Sequence, residues 1–141
     1  MKIHNKTLII LNFAVPLLAG AVFYYLFSPD AVFVKVIDGI TGRGVHFSGA
    51  LRTNGVLRFV RFYLLDALWA YALVFALYFI LNNNTAKLWG IFGMAFALSA
   101  SMEILQLTPL AEGTFDFWDI LTEALSEVLA VFIIKKLLRR Q

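Results

Sequence analysis

The run LIILNFAVPLLAGAVFYYLF, residues 8–27, decides the class of fold, because it has no charged side chain over the length of a membrane crossing. A helix needs roughly 20 predominantly apolar residues to cross the hydrocarbon core of a bilayer. Pro16 lies inside the run and predicts a kink. A signal peptide is the competing interpretation, since Lys2 and Lys6 precede the run. We reject it because the run is too long for a signal-peptide core, and Tyr-Tyr-Leu-Phe-Ser-Pro stands where a small-residue cleavage site is expected.

Three further apolar runs have a similar length. They cover residues 62–81, 88–107 and 117–138. The links at residues 82–87 and 108–116 are short, so the last three helices are expected to be antiparallel neighbours. The sequence therefore predicts an all-α membrane protein, with four transmembrane helices in an antiparallel bundle that forms a single domain over residues 1–141.

A stripe of small residues marks one face of the third predicted helix. Gly93, Ala97 and Ser101 recur four positions apart. Small side chains at this spacing let the backbone of another helix approach closely. The stripe predicts a helix-packing face.

The composition excludes an ordinary soluble domain. The chain is 61% hydrophobic and 15% charged, whereas soluble domains are roughly 45–50% apolar and about 25% charged. The net charge of +3 comes from Lys and Arg residues at the flanks of the apolar runs, where anionic lipid attracts them. The bilayer is thus the expected partner, and a nucleic-acid partner is not expected.

The basic residues also predict the orientation, since cytoplasmic loops carry an excess of Lys and Arg. The two ends and the second loop share one side, with Lys2, Lys6, Lys87, Lys135, Lys136, Arg139 and Arg140. The other side has Lys35, Arg43, Arg52, Arg58 and Arg61. This bias favours cytoplasmic N- and C-termini and places the longer first loop outside the cytoplasm.

The remaining residue types limit the chemistry. The chain has no cysteine, and its two histidines, His4 and His46, are far apart in the sequence. A zinc centre needs more nitrogen or sulfur ligands than these, and we predict no cofactor. The first loop is rich in turn residues, and its segment at residues 31–40 is apolar enough to form a short helix on the membrane surface.

The informative residues are polar side chains inside or at the ends of the predicted crossings. A charge in hydrocarbon costs roughly 2.5 to 3.5 kcal/mol on insertion scales, so such residues mark functional sites by default. They lie on one side of the bilayer in the predicted topology. The candidate site residues are Arg58, Arg61, Asp66, Glu103, Gln106, Asp116, Asp119, Glu123 and Glu127.

The spacing of these residues predicts that they meet. Ser99, Glu103 and Gln106 share one face of the third helix. A second stripe on the fourth helix consists of Asp116, Asp119, Glu123 and Glu127. Facing lipid would be costly, so we expect the stripes to face each other as an acidic crevice that opens outward, with Glu103 and Asp119 within side-chain reach.

Structural roles compete with function at several of these positions. Asp116 is placed to cap the fourth helix, and Arg58 and Arg61 are either interfacial anchors or partners of the carboxylates. Glu103 with Gln106 would also serve as an interhelical hydrogen-bond clamp. Like charges in one crevice disfavour full ionisation, so the crevice would prefer a proton, a divalent cation or a cationic ligand.

Three segments of the second half resemble the VanZ-like family of small bacterial membrane proteins. They are FVRFYLLDALW at residues 59–69, MEILQ at residues 102–106 and GTFDFWD at residues 113–119. The resemblance covers about residues 58–134. It implies that Asp66, Glu103, Gln106, Asp116 and Asp119 are the family's signature polar positions, with Gly113 in the turn before the last helix. The chain departs from the family at Ser126 and Glu127, where members commonly have a glycine-containing packing motif.

The resemblance implies a location in the bacterial cytoplasmic membrane and two classes of function. In the first, the protein is a non-enzymatic factor whose crevice binds a lipid-linked cell-wall component, a lipoglycopeptide or a partner protein, and so alters the cell envelope or sensitivity to teicoplanin-type antibiotics. In the second, it is an intramembrane enzyme acting on a lipid or polyprenyl-linked headgroup, with Glu103 and Asp116 or Asp119 as acid and base or as ligands of Mg²⁺. Proton or ion transport is a third alternative, but no polar path leads inward beyond Glu127 in the sequence.

Overall fold

The computed structural model describes residues 3–29, 31–42, 44–47, 54–81, 87–108 and 115–139, without the side chains of residues 3–5 and 61. All regular secondary structure in these ranges is helical. The helices are α1 (Ile3–Phe27), α2 (Val32–Thr41), α3 (Gly55–Ile80), α4 (Leu88–Leu105) and α5 (Phe117–Arg139).

Three of these helices, α1, α3 and α4, are long and apolar enough to cross a membrane. Helix α1 continues through Pro16. Helix α5 has a comparable length, but acidic residues in its first half and basic residues in its last turn lower its hydropathy. The described chain thus contains three membrane-length apolar helices and a fourth long helix of more polar character.

Helix α3 begins well before the predicted position. Its start is set by Asn54, whose side-chain oxygen accepts hydrogen bonds from the backbone N–H groups of Val56 at 3.0 Å and Leu57 at 3.3 Å. A side chain that accepts from these positions satisfies the free N–H groups of a first helical turn. Arg58 therefore lies within the helix, although it precedes the apolar run, which is bordered by Arg61 in the sequence.

The short helix expected at residues 31–40 is confirmed as α2 (Val32–Thr41). It ends at Gly42, whose φ of 67° is left-handed and whose N–H donates to the carbonyl oxygen of Asp38. Glycine adopts this conformation without steric cost. One face of α2 is exposed and carries Val32, Phe33, Val36 and Ile40, whereas Val34 is buried.

A polar clip attaches α2 to the end of α1. The Tyr25 hydroxyl donates to Oδ1 of Asp38 at 2.7 Å, and Nε2 of His46 lies 2.7 Å from Oδ2 of Asp38. The Tyr25 hydrogen bond, followed by that of His46, holds the pKa of Asp38 below its ordinary value, and the hydrogen bond to Asp38 raises the pKa of His46. A Cβ on Gly44 would lie only 2.7 Å from Nε2 of His46, so glycine is needed for this approach.

Helix α3 is the centre of the bundle, since it packs against α1, α4 and α5. A hydrophobic core fills the space between these helices toward the end of α3. Its buried members are Ile9, Val74, Phe75, Tyr78, Leu88, Ile91, Ala95, Ala130, Val131 and Ile134. This core closes the bundle on one side of the polar residues.

Helix α1 packs extensively against α3, and this interface includes an approach at Gly20 and one interhelical hydrogen bond. A Cβ on Gly20 would lie 3.8 Å from the Leu65 side chain, and the Tyr71 hydroxyl donates to Oδ1 of Asn12 at 2.6 Å. Most of α1 faces outward. An interhelical hydrogen bond of this kind is worth roughly 0.6 kcal/mol in membrane helices.

The small-residue stripe does not pack where it was predicted to. Gly93, Ala97 and Ser101 are exposed, and a Cβ on Gly93 would meet nothing within 4 Å among the described atoms. The buried face of α4 instead carries Ala95 and Ser99. Within the described chain the packing face of α4 is therefore the other of two faces that carry small residues four positions apart.

Candidate functional site

The candidate site is an acidic cluster, which consists of the buried Glu103 on α4 and Glu123 and Glu127 on α5, with the partly buried Asp66 on α3 and Asp119 on α5. Its members on α5 lie on one face of that helix, because they are spaced four residues apart. Glu123 is 5% exposed and Glu127 is fully buried, on the same face as the core residues Ala130 and Ile134. The packing face of α5 is therefore acidic in its first half and apolar in its second.

Helix α4 presents the matching stripe. Ile91, Ala95, Ser99 and Glu103 are buried and recur four positions apart, which places them on one face. The Ser99 hydroxyl donates to Oε1 of Glu127 at 3.0 Å. The two polar stripes thus face each other, as their spacing predicted.

Helix α3 adds Asp66 from a third direction. Asp66 lies close enough to Asp119 and Glu103 for charge–charge interaction, and Glu123 interacts in the same way with Asp66 and Glu103. Asp119 likewise interacts electrostatically with Glu103, whereas a direct side-chain contact between this pair stays a prediction. Carboxylates from three helices therefore converge.

Three carboxylate oxygens in this cluster have no hydrogen-bond partner within the described part of the chain. They are Oε2 of Glu103, Glu123 and Glu127. A buried polar group without a partner costs free energy, and a buried charge without a counter-ion costs more. The cluster is therefore suited to receive a hydrogen-bond donor or a positive charge.

The structure does not give Arg58 the role of a counter-ion. Arg58 is exposed in the first turn of α3 and forms no ion pair with any described carboxylate; the ion pair in these ranges joins His46 and Asp38. Its exposed position fits the alternative of an interfacial anchor. The side chain of Arg61, together with Glu112, Gly113 and Thr114 of the predicted third loop, lies outside the described residues.

Glu103 and Gln106 form a hydrogen bond within one helix. Nε2 of Gln106 donates to Oε1 of Glu103 at 3.3 Å, and Gln106 is the C-terminal cap residue of α4. The expectation of a clamp between two helices was therefore wrong, because residues three apart on a helix lie above one another. This bond occupies one oxygen of Glu103 and leaves the other unpartnered.

Asp116 has the structural role predicted for it. Its Oδ1 accepts a hydrogen bond at 2.9 Å from the backbone N–H of Trp118, in the first turn of α5. The Tyr63 hydroxyl donates to Oδ2 of the same carboxylate at 3.4 Å. Asp116 thus links the start of α5 to α3 beside the acidic cluster.

Sequence reasoning missed the tyrosines and one asparagine. Tyr63 at the cluster and the Asn12–Tyr71 pair between α1 and α3 were not predicted. A usable signal was present for Asn12, since it is a polar residue inside an otherwise apolar run, and such a residue calls for a partner in the membrane.

Among the residues that the structure describes, no three His, Asp or Glu side chains are arranged to hold one metal ion. No protein family, no curated protein and no solved structure matches this chain.

Proposed function

We propose that this chain is a VanZ-like protein of the bacterial cytoplasmic membrane that binds a cationic group of an envelope component in the acidic cluster. The bound component is a lipid-linked cell-wall component or a lipoglycopeptide. Binding alters the response of the cell envelope to teicoplanin-type antibiotics, without a chemical step.

The observation that carries this proposal is the convergence of the resemblance's signature positions. Asp66, Glu103 and Asp119 come from three separate segments and interact electrostatically. Gln106 bonds to Glu103, and Asp116 stands at the start of α5 beside them. Residues far apart in the chain thus meet in one place, which is what a shared binding site requires.

The charge of the cluster favours a cationic partner. Five carboxylates lie together, three of them with a buried oxygen that has no partner in the described ranges. Coulomb attraction is stronger where water is excluded, so one ammonium group would relieve several repulsive contacts at once. Arg58 at the start of α3 does not do this, since it is exposed and forms no ion pair with a described carboxylate.

The proposed topology has α5 as the fourth crossing and both termini in the cytoplasm. It rests on the distribution of basic residues, which favours the side of the two ends and the second loop. The acidic cluster then lies toward the outer face, where envelope components are assembled. The apolar core that includes Val131 and Ile134 closes the cytoplasmic side.

Teicoplanin susceptibility of a sensitive Gram-positive host tests this function. We expect wild type to raise the minimal inhibitory concentration, and Glu103→Gln and Glu127→Gln to lose the effect, because each substitution removes a negative charge at nearly constant volume. Asp38→Asn is the matched control, since Asp38 is a carboxylate outside the cluster. All variants must be present in the membrane at equal levels.

Two results would contradict the proposal. One is the absence of protection by well-expressed wild type. The other is protection that Glu103→Gln and Glu127→Gln retain in full, because the cluster would then have no part in it.

A further inference from the structure

A groove on the outside of the bundle leads to the acidic cluster. It lies between α1, α2 and α3 and has a volume of about 410 Å³, within the roughly 300–1,000 Å³ range of ligand pockets. Its walls are apolar and include Ala21 of α1, Phe33 of α2 and Leu65 of α3. Helices α1 and α3 are membrane-length, so such walls suit a hydrocarbon chain.

Asp66 connects this groove to the cluster. It is the acidic residue among the described lining residues, and it also interacts electrostatically with Glu103 and Asp119. A ligand in the groove would therefore place its polar end beside Asp66, with the buried carboxylates behind it. Beyond Asp66, Glu103, Glu123 and Glu127 each have a buried carboxylate oxygen without a partner in the described ranges.

We infer that the groove binds a membrane-dissolved amphiphile with one aliphatic chain and an ammonium headgroup, its chain between α1 and α3 and its ammonium at Asp66. This inference rests on the proposed function, since it assumes that the cluster receives a positive charge. It adds the chemical class of the ligand and the path by which it arrives, laterally from the bilayer. An anionic headgroup is disfavoured because it would approach several carboxylates.

Trp69 provides the reporter, because it lines the groove and its side chain is 51% exposed. The chain has three tryptophans, so Trp89→Phe and Trp118→Phe leave Trp69 alone. The purified full chain in phosphatidylcholine nanodiscs is titrated with chain-brominated octadecylamine, and in parallel with chain-brominated octadecanoic acid. The two probes share the quenching chain and differ in the charge of the headgroup.

We expect saturable quenching of Trp69 by the amine. Its midpoint concentration should be about tenfold or more below that of the acid, which corresponds to the free energy of one charge-assisted contact. Asp66→Asn should remove this difference and Asp66→Glu should restore it. Ala21→Phe should weaken quenching by filling the groove. Ala19→Phe is its matched control, since it makes the same change at an exposed position of α1 outside the groove.

Equal quenching by amine and acid in the wild-type background would overturn the inference, because the groove would then hold bulk lipid chains. Amine selectivity that survives Asp66→Asn would overturn it as well. The two proposals fail separately: amine selectivity without teicoplanin protection supports the groove and defeats the proposed function, whereas protection without amine selectivity defeats only the groove.

Discussion

Ser99 of α4 and Glu127 of α5 are joined by a hydrogen bond of 3.0 Å in which the serine hydroxyl donates to Oε1 of a fully buried carboxylate. Both residues were expected on facing stripes. The bond is a direct hydrogen bond between those stripes, and it fixes the register of α4 against α5 at the inner end of the acidic cluster.

The substitution Ser99→Ala should therefore destabilise the protein by about 1 kcal/mol, because it leaves Glu127 without its donor. Thermal unfolding in detergent measures the effect. Ser101→Ala is the matched control, since Ser101 lies two residues away on an exposed face and donates only to Ala97 of its own helix. Equal loss in both variants would show that the bond to Glu127 adds nothing.

Neutralising Glu123 should stabilise the protein while function is lost. Glu123 is 5% exposed and its Oε2 has no partner in the described ranges, so the charged form carries a desolvation cost that Glu123→Gln removes. We expect a rise in melting temperature of a few degrees, on the order of 4 °C per kcal/mol. The rise should be largest at alkaline pH and vanish in acid, where glutamic acid and glutamine are both neutral. A fall in melting temperature at alkaline pH would mean that the charge is compensated.

Two substitutions of Asp116 distinguish the stabilisation by its helix cap from the stabilisation by its charge. Asp116→Ala should cost about 1 kcal/mol, because the first turn of α5 loses its acceptor, whereas Asp116→Asn should cost little, since asparagine caps equally well. Thermal unfolding distinguishes the two. If Asp116→Asn destabilises as much as Asp116→Ala, the carboxylate charge and not the cap stabilises this helix start.

The stability of the clip between α2 and α1 should decrease both at alkaline pH and at acid pH. Because the folded pKa of His46 is raised, its contribution is complete below the ordinary value of 6.5 and is lost as the pH rises through the higher folded value. Because the folded pKa of Asp38 is lowered, its contribution is complete above 3.8 and is lost as the pH falls through the lower folded value.

Hydrogen exchange of the α2 amides, corrected for the intrinsic rate, measures this dependence. We expect maximal protection between these limits and a loss of protection on the alkaline side that His46→Gln abolishes. An unchanged alkaline profile in His46→Gln would show that the imidazole does not hold α2.

The long helices were predictable because apolar length alone identifies them. The start of α3 was not predictable, because hydropathy counts Arg58 and Arg61 as interruptions although arginine is a good helix former. The facing stripes followed from spacing, since polar residues in a membrane bundle turn inward. The packing face of α4 could not be predicted from spacing. Small residues recur four positions apart from Gly93 and also from Ala95, and only the neighbouring helix determines which of these two faces is buried.

Contacts between segments that meet through a reversal of the chain also could not be predicted from the sequence. His46 meets Asp38 and Tyr25 only because the chain turns back at Gly42. The exposed position of Arg58 depends on the helix rotation of α3, which is set by packing against three neighbours at once. Such rotations are determined by side-chain fit and not by composition.

The unequal lengths of the membrane helices have a consequence for the acidic cluster. At 1.5 Å per residue, α4 with its 18 residues is about 27 Å long and α3 with its 26 residues about 39 Å, around a hydrocarbon core of about 30 Å. Such hydrophobic mismatch is relieved by tilting the longer helix and thinning the bilayer beside the shorter one. Glu103 lies in the last turn of α4, so the thickness of the surrounding membrane sets how deep this carboxylate sits and how readily water reaches it.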